Sequence, residues 1–156
     1  MTYSIAGLDP ADFAPLFAMD DAALAERGAM RVTAAAPKSF PCRISLVDAA
    51  HGETLILLHH ISHDVPTPYR SAYAIFVRQN VEAAHYEDRV PPVFERRPIA
   101  MRGFDAQGML RDAKLALPGE ADAAIRALFA DESIAYIDAH NAAHGCFAAR
   151  VRRSET

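Results

Sequence analysis

Short runs of β-forming residues, most of them bounded by proline, glycine or aspartate, recur along the chain. Runs of this length are shorter than a typical helix, and they predict strands at 3–6, 30–34, 42–47, 54–61, 73–78, 99–104 and 109–117. Helices are predicted where acidic residues begin a segment and where apolar residues recur at helical spacing, at 20–27 and 120–130 respectively. Because strands and helices do not alternate regularly, the pattern predicts an α+β fold: a mostly antiparallel or mixed β-sheet with two to three helices packed against it.

Residues 134–151, with the sequence IAYIDAHNAAHGCFAARV, are predicted to form two short strands joined by a polar loop. Alternate side chains of a strand share a face, so Asp138 and His140 should point the same way. On the return strand, the same alternation places Cys146 on one face with Arg150. This closing hairpin holds the densest set of chemically capable side chains in the chain, and it is therefore the leading candidate for a functional site.

Composition narrows the classes of protein to which the chain can belong. Its 156 residues match one ordinary domain, and just over half are hydrophobic, which is a globular balance. A formal net charge of -4 disfavours a nucleic-acid partner, because such proteins usually carry a basic surplus. We find no basic segment followed by an apolar run at the start, and no apolar run long enough to cross a membrane. We therefore expect a single cytoplasmic domain, 1–156, without a membrane partner.

The two cysteines, Cys42 and Cys146, are too few for a secreted disulfide scaffold, although a bridge between them stays open. Cys146 follows a loop that contains Asn141 and His144, and His140 ends the preceding strand. These residue types suit a thiol nucleophile, with His140 or His144 as the base and Asn141 as the group that orients it. The ordinary alternative is that Cys146 is a small buried apolar residue, the commonest situation of a cysteine.

A metal site is a second possibility for the same hairpin. Asp138, His140 and His144 supply one carboxylate and two imidazoles, which suit zinc or iron if another ligand or a water completes the set. This spacing matches no strong signature, and polar residues of a loop commonly satisfy nearby backbone groups instead. For a second histidine cluster, at 59–63, the ordinary interpretation is a strand end with His60 partly buried and the other histidines in solvent. We assign no metal to the chain.

Arginines in the predicted loops and strand ends favour a third possibility, a pocket for a small polar or anionic ligand. Guanidinium groups recognise carboxylates and phosphates through two parallel hydrogen bonds. Arg43 follows Cys42, and Arg70 follows an aromatic residue in a loop stiffened by prolines. The ordinary alternative for each arginine is a surface ion pair of little energetic weight. We predict that four residues contact the ligand: Arg43, Arg70, His140 and Asn141.

Several enzyme classes with clear local signatures are disfavoured. The chain contains no glycine-rich phosphate loop, no G-x-S-x-G turn, no H-E-x-x-H helix and no two cysteines separated by two residues. Enzymes whose sites assemble from distant segments remain compatible with the sequence.

Three blocks of sequence resemble the bacterial family known as domain of unknown function 1203: FPCRISLVDA at 40–49, TPYRSAYAIFVR at 67–78 and AYIDAHNAAHGCFAARV at 135–151. The opening block at 7–29 is similar too, so the resemblance spans nearly the whole chain. It implies a bacterial protein that forms one intact domain, and it implies no particular activity. It directs attention to the residues inside the blocks: Cys42, Arg43, Tyr69, Arg70, Asp138, His140, Asn141, Gly145 and Cys146.

The function predicted from these patterns is the binding of a small polar or anionic molecule, with no cofactor assigned. The first alternative is a hydrolase or transferase that uses Cys146 and His140, which requires an exposed thiol that ionises readily. The second alternative is a structural or protein-interaction domain. Such a domain would lack a cavity beside the closing hairpin and would expose a sizeable apolar patch.

Overall fold

The fold is that of a computed structural model, which describes residues 1–155. Within these residues the strands are β1 Tyr3–Ala6, β2 Met30–Thr33, β3 Thr54–His63, β4 Ser71–Arg78, β5 His85–Glu87, β6 Ile99–Phe104, β7 Leu110–Ala116, β8 Tyr136–Asn141 and β9 Phe147–Arg153. The α-helices are α1 Ala14–Phe17, α2 Asp21–Glu26 and α3 Ala121–Phe129. The paired strands of both sheets run antiparallel. The predicted α+β fold with a mostly antiparallel sheet is therefore confirmed.

Six strands form the larger sheet, in the order β5-β1-β9-β8-β6-β7. The closing hairpin, β8 and β9, lies at its centre with a paired strand on either side. Helix α3 covers one face of this sheet, because its apolar residues recur at helical spacing and form one continuous stripe. Ile125 and Leu128 of that stripe belong to the same buried cluster as Ile137 of β8 and Val151 of β9.

The smaller sheet, β2-β3-β4, packs across the other face of the larger one. His63, at the end of β3, links the two sheets: its Nδ1 lies 2.8 Å from the carbonyl oxygen of Tyr69 and its Nε2 lies 2.6 Å from the hydroxyl of Tyr136. A carbonyl only accepts, so in the neutral ring Nδ1 carries the proton and Nε2 accepts from Tyr136. The prediction that His63 lies in solvent is wrong, because a bulge after Ile61 turns it inward.

A charged pair lies in the same layer between the sheets. Asp138 of β8 is fully enclosed, and Arg150 of β9 donates to both of its carboxylate oxygens, at 2.7 and 2.9 Å. The same guanidinium lies over the ring of Tyr136 and reaches the carbonyl oxygen of Ser62 in β3 at 3.3 Å. An enclosed carboxylate is tolerated only when a partner compensates its lost hydration. Loss of either partner would therefore leave an unpaired charge, and the contact with Ser62 connects the larger sheet to the smaller one.

Residues 42–47 do not form the strand that their β-rich composition predicted. They turn instead, with the N–H of Leu46 donating to the carbonyl of Cys42 at 3.0 Å. The Cys42 sulfur accepts backbone N–H groups from the turn itself and from Arg78 of β4. Side chains that accept local backbone hydrogen bonds favour turns over extended structure. The consequence is that Arg43 points into the protein instead of lying along a sheet.

The closing hairpin forms as predicted, and Asp138 and His140 share a face of β8, but the return strand does not alternate as predicted. The pairing shifts after Ala139, because β9 contains one residue more than β8 needs, and His140 consequently pairs with Phe147. The bulge places Phe147 on the face that also carries His140 and Arg150. It moves Cys146 to the opposite face. The prediction that Cys146 and Arg150 share a face is therefore wrong.

The remaining predicted helices and strands each coincide with an observed element to within two residues at either end. The two predicted helices are each one residue longer at either end than α2 and α3. No helix in residues 1–155 is long and apolar enough to cross a membrane.

We expect the substitution Asp138→Asn to lower the free energy of unfolding by about 3–5 kcal/mol, because it leaves the charge of Arg150 without its partner. Urea denaturation followed by circular dichroism measures this loss. The matched control is Asp64→Asn, which removes a carboxylate from an exposed ion pair with Arg70 and should cost no more than about 0.5 kcal/mol. A loss of unfolding free energy in Asp138→Asn as small as that of the control would show that the enclosed pair has no structural role.

Candidate functional site

A cavity of about 530 Å³, here called the Cys146 cavity, lies beside the loop that joins β8 to β9. Its walls are mainly apolar and are formed by Phe40, Pro41, Phe76, Pro98, Ala142 and Ala143. Its polar lining comprises Lys38, Ser39, Arg43, Arg97, Asn141, His144 and Cys146. Cavities of this size, with apolar walls and a few polar groups, are typical of small-molecule sites.

Arg43 carries a positive charge although only 2% of its surface is exposed. Its Nε donates to the carbonyl of Phe147 at 2.7 Å, and its Nη1 donates to the carbonyl of Pro41. Its Nη2 donates to the sulfur of Cys146 at 3.0 Å. Burial lowers the pKa of Arg43, and the neighbouring Cys146 sulfur acts in the opposite direction. None of the three hydrogen-bond acceptors is a carboxylate.

The sulfur of Cys146 receives a second hydrogen bond, from Nδ2 of Asn141 at 3.3 Å. An arginine side chain keeps its proton in proteins, so an enclosed guanidinium requires an anion nearby. Of the groups that Arg43 donates to, only the Cys146 sulfur can become an anion, since the other two are backbone carbonyls. Both donors therefore hold the sulfur in a fixed position at the wall of the Cys146 cavity.

The rim of the Cys146 cavity is positively charged. Lys38 is exposed there, and no ion pair of its ammonium is found within residues 1–155. Arg97 is already neutralised, because its Nη2 lies 2.8 Å from the carboxylate of Asp48. His144 is exposed in the β8–β9 loop and lines the same cavity as Cys146. An imidazole at that position can exchange a proton with a molecule bound in the cavity.

A second cavity, of about 260 Å³, lies between the two sheets and is here called the intersheet cavity. Arg70 and His140 both line it. His140 is 4% exposed, and its Nδ1 lies 3.0 Å from the carbonyl oxygen of Gly145. Burial lowers the pKa of His140, so the ring is neutral at physiological pH. Arg70 is exposed and donates to the carboxylate of Asp64 at 3.1 Å.

The site residues predicted from the sequence therefore divide into two groups. The Cys146 cavity holds three of them: Arg43, Asn141 and Cys146. The intersheet cavity holds the other two, Arg70 and His140. Cys146 and His140 line different cavities because the bulge in β9 separates their faces. Among the histidines of the hairpin, His144 is the one that shares a cavity with Cys146.

Two basic residues that line these cavities carried no recognisable signal in the sequence. Lys38 lies in a loop that precedes the turn at 41–48, and only the folded chain brings it to the cavity rim. Arg102 lies within β6 and lines the intersheet cavity. It pairs across the sheet with Asp138, whose carboxylate is already bound by Arg150. The strand pairing that makes Arg102 noticeable cannot be seen in a single sequence.

No group of three histidine, cysteine, aspartate or glutamate side chains within residues 1–155 is placed to hold a metal ion. The set considered from the sequence is dispersed: Asp138 is bound by Arg150, and His140 and His144 line different cavities. Both cysteines are buried free thiols, and no disulfide joins them. Cys146 is 9% exposed, so the exposed thiol expected of a nucleophile is not found at this position, although the residue lines the Cys146 cavity.

A family model described as Protein of unknown function (DUF1203) matches residues 39–153. The chain belongs to this family. The match includes both cavities' candidate residues, from Arg43 to Cys146, whereas the similar opening block at 7–29 lies outside it. No curated protein and no solved structure matches the chain. The DUF1203 description names no activity, so the function has to be inferred from the two cavities.

We expect the free energy of unfolding to fall as the pH is lowered from about 7.5 to about 5.5. Burial lowers the pKa of both His60 and His140 in the folded chain, so the unfolded chain binds protons first, near its ordinary histidine pKa of 6.5. The stabilisation is complete above that value and is lost below it. Urea denaturation at several pH values measures the fall, which should be smaller in His140→Gln. An identical pH dependence in that variant would contradict the assigned state of His140.

Proposed function

We propose that this chain binds a small molecule in the Cys146 cavity and that Cys146 attacks the bound molecule as a thiolate. The class of activity is a cysteine-dependent hydrolase or transferase. The observation that carries the proposal is the enclosed guanidinium of Arg43, which has the Cys146 sulfur as its one acceptor able to carry a negative charge. A thiolate placed at the wall of a ligand-sized cavity is the usual arrangement of a catalytic cysteine.

The lining of the cavity supports a particular kind of ligand. Aromatic rings and small apolar side chains cover most of its wall and favour an apolar body. The ammonium of Lys38 and the imidazole of His144 stand at the rim and favour a polar or anionic group on the ligand. A small molecule with an apolar body and one acidic group fits both features. The formal net charge of -4 disfavours a nucleic acid as the partner.

Four polar residues of the cavity take part in the proposed chemistry. Cys146 forms a covalent bond with an electrophilic carbon of the ligand. The bond between that carbon and the leaving group breaks, and a protonated His144 gives its proton to the leaving group. The neutral His144 then takes a proton from water or a second substrate, whose oxygen bonds to the carbon as the carbon–sulfur bond breaks and the thiolate is restored. Arg43 and Asn141 are positioning residues, since they act by holding the sulfur and favouring its charged form.

The proposal extends to a bacterial protein of the cytoplasm, where thiols are kept reduced. Two free cysteines support that location, because the proposed nucleophile requires an unoxidised thiol. Binding without reaction is the second candidate function, favoured by the charged rim and the apolar walls alone. A purely structural or protein-interaction domain gains less support, because such a domain was expected to lack a cavity beside the closing hairpin.

We expect the fluorescent probe anilinonaphthalene sulfonate, which joins an apolar body to one anionic group, to bind in the Cys146 cavity. The substitution Ala143→Trp places an indole ring in the cavity from the loop and should weaken binding about tenfold, or ~1.4 kcal/mol. Fluorescence titration measures the dissociation constant. The control Ala106→Trp adds the same ring at an exposed turn between β6 and β7 and should leave the affinity unchanged. Equal affinity in the two variants would place the probe elsewhere.

We expect iodoacetamide to alkylate Cys146 at neutral pH, while Cys42, which is fully enclosed, stays unmodified. The isosteric change Asn141→Asp replaces an N–H donor by a negative charge. The new charge either repels the sulfur or binds Arg43 in place of the sulfur, and in both cases the thiolate is less stabilised. The rate of Cys146 alkylation should therefore fall about tenfold or more. Mass spectrometry of the modified peptide measures the rate.

The matched control for this experiment is Asn80→Asp, which adds the same charge at an exposed position outside the Cys146 cavity. It should alkylate at the rate of the unsubstituted chain. A Cys146 that reacts no faster than an ordinary free thiol would favour binding without reaction. An Asn141→Asp rate equal to that of the control would show that the contacts to the sulfur do not activate it.

A further inference from the structure

The intersheet cavity gathers polar groups from both sheets, on the face of the closing hairpin that is turned away from Cys146. Its polar lining includes Ser62, Arg70, Ser71, Tyr73, Arg102 and His140. Its volume of about 260 Å³ is far larger than the ~30 Å³ that one water molecule takes up in the liquid. The cavity is therefore large enough for a small oxyanion, and it takes no part in the chemistry proposed for Cys146.

His140 presents a free hydrogen-bond acceptor to this cavity. Its Nδ1 carries the proton, because that atom lies 3.0 Å from the carbonyl oxygen of Gly145, which can only accept. Its Nε2 has no hydrogen-bond partner within residues 1–155. In the same residues each fully enclosed side-chain nitrogen or oxygen does have one, so Nε2 is not enclosed and opens onto the cavity. A side chain that is 4% exposed thus keeps one unpaired lone pair aimed into open space.

Two guanidinium groups supply positive charge to the same cavity. Arg102 stands across β6 and β8 from Asp138, but Arg150 occupies both oxygens of that carboxylate. No hydrogen bond or ion pair of the Arg102 side chain is found in the described chain, which leaves its donors available. Arg70 enters from the exposed loop before β4, where its one ion pair is with Asp64 in solvent. Such a surface pair is weak, so Arg70 can turn to an anion at little cost.

We propose that the intersheet cavity binds a small oxyanion that keeps an O–H group of its own, such as inorganic hydrogen phosphate or a hydroxycarboxylate. The negatively charged oxygens accept hydrogen bonds from Arg102 and Arg70. The O–H group donates to Nε2 of His140. A ligand therefore needs both a negative charge for the two arginines and an O–H donor for Nε2 of His140.

The direction of that hydrogen bond separates oxyanions of similar size and shape. Phosphate retains at least one proton at neutral pH, whereas sulfate retains none. Sulfate would bring an acceptor against the lone pair of Nε2, and an unpaired polar contact of this kind is costly in a partly enclosed site. Burial lowers the pKa of His140, which opposes the proton uptake that would let the ring donate to sulfate instead. Glycolate and acetate form a second pair that differs in the same way, since only glycolate carries a hydroxyl group.

Isothermal titration calorimetry with the four sodium salts, at neutral pH and constant ionic strength, tests the proposal directly. Phosphate should bind at least about tenfold more tightly than sulfate. If the natural ligand is a hydroxycarboxylate, glycolate should also bind more tightly than acetate. If the natural ligand is a phosphate, glycolate and acetate should bind alike, and only phosphate and sulfate should differ in affinity. The substitution Arg102→Gln should abolish the preferred binding, whereas Arg96→Gln, which removes the same charge at an exposed position outside the cavity, should preserve it.

Circular dichroism of both arginine variants shows whether each remains folded. Arg102 is suited to this test because the change removes no hydrogen bond or ion pair found in the described chain. Equal affinity for phosphate and sulfate would reduce the cavity to an unselective basic surface and overturn the proposal. So would a phosphate preference that survives Arg102→Gln, or the absence of heat with all four salts. The same titrations with Cys146→Ser should give unchanged affinities, because the intersheet cavity works independently of the thiol.

Discussion

The candidate site depends on a single enclosed positive charge. Arg43 lies on a turn whose β-rich sequence predicted a strand. Its guanidinium donates to the carbonyl of Phe147 and so holds that turn against the start of β9. A buried cation without a carboxylate partner would be expensive, and Arg43 has none. The cost is offset if the Cys146 sulfur carries a negative charge. One contact therefore links the packing of the turn, the shape of the cavity wall and the chemistry assigned to the thiol.

The bulge in β9 determines which chemistry is possible on either side of the hairpin. Without it, Cys146 would share a face with Arg150 and approach the layer between the sheets, where His140 lies. With it, the hairpin serves two cavities of different character. One is mainly apolar and contains the Cys146 thiol, with charged groups at its rim. The other is polar and presents one acceptor with two guanidinium groups. The thiol chemistry proposed for one cavity and the oxyanion site proposed for the other both follow from that division.

The sequence was sufficient where a pattern repeats along one element. Helix α3 was predicted to within a residue at either end because its apolar stripe has the helical period. The sequence was insufficient where tertiary contacts override composition. Residues 42–47 have a strand-like composition, yet the Cys42 sulfur stabilises a turn by accepting backbone N–H groups. The bulge falls in a run of alanines that carries no turn signal, so the pairing of Cys146 with His140 was a reasonable hypothesis that the register does not support. Arg102 could not be recognised from the sequence, because its availability depends on its position beside Asp138, whose carboxylate Arg150 already binds.

The central claim is the proposal that Arg43 and Asn141, through their hydrogen bonds to the sulfur, keep Cys146 as a thiolate. Raman spectroscopy of the S–H stretching band measures this directly in the variant Cys42→Ser, where Cys146 is the remaining cysteine and serine can accept the same backbone N–H groups as Cys42. The account predicts that the S–H band is absent at neutral pH and grows on acidification. A full-strength S–H band at neutral pH, unchanged on acidification, would contradict it.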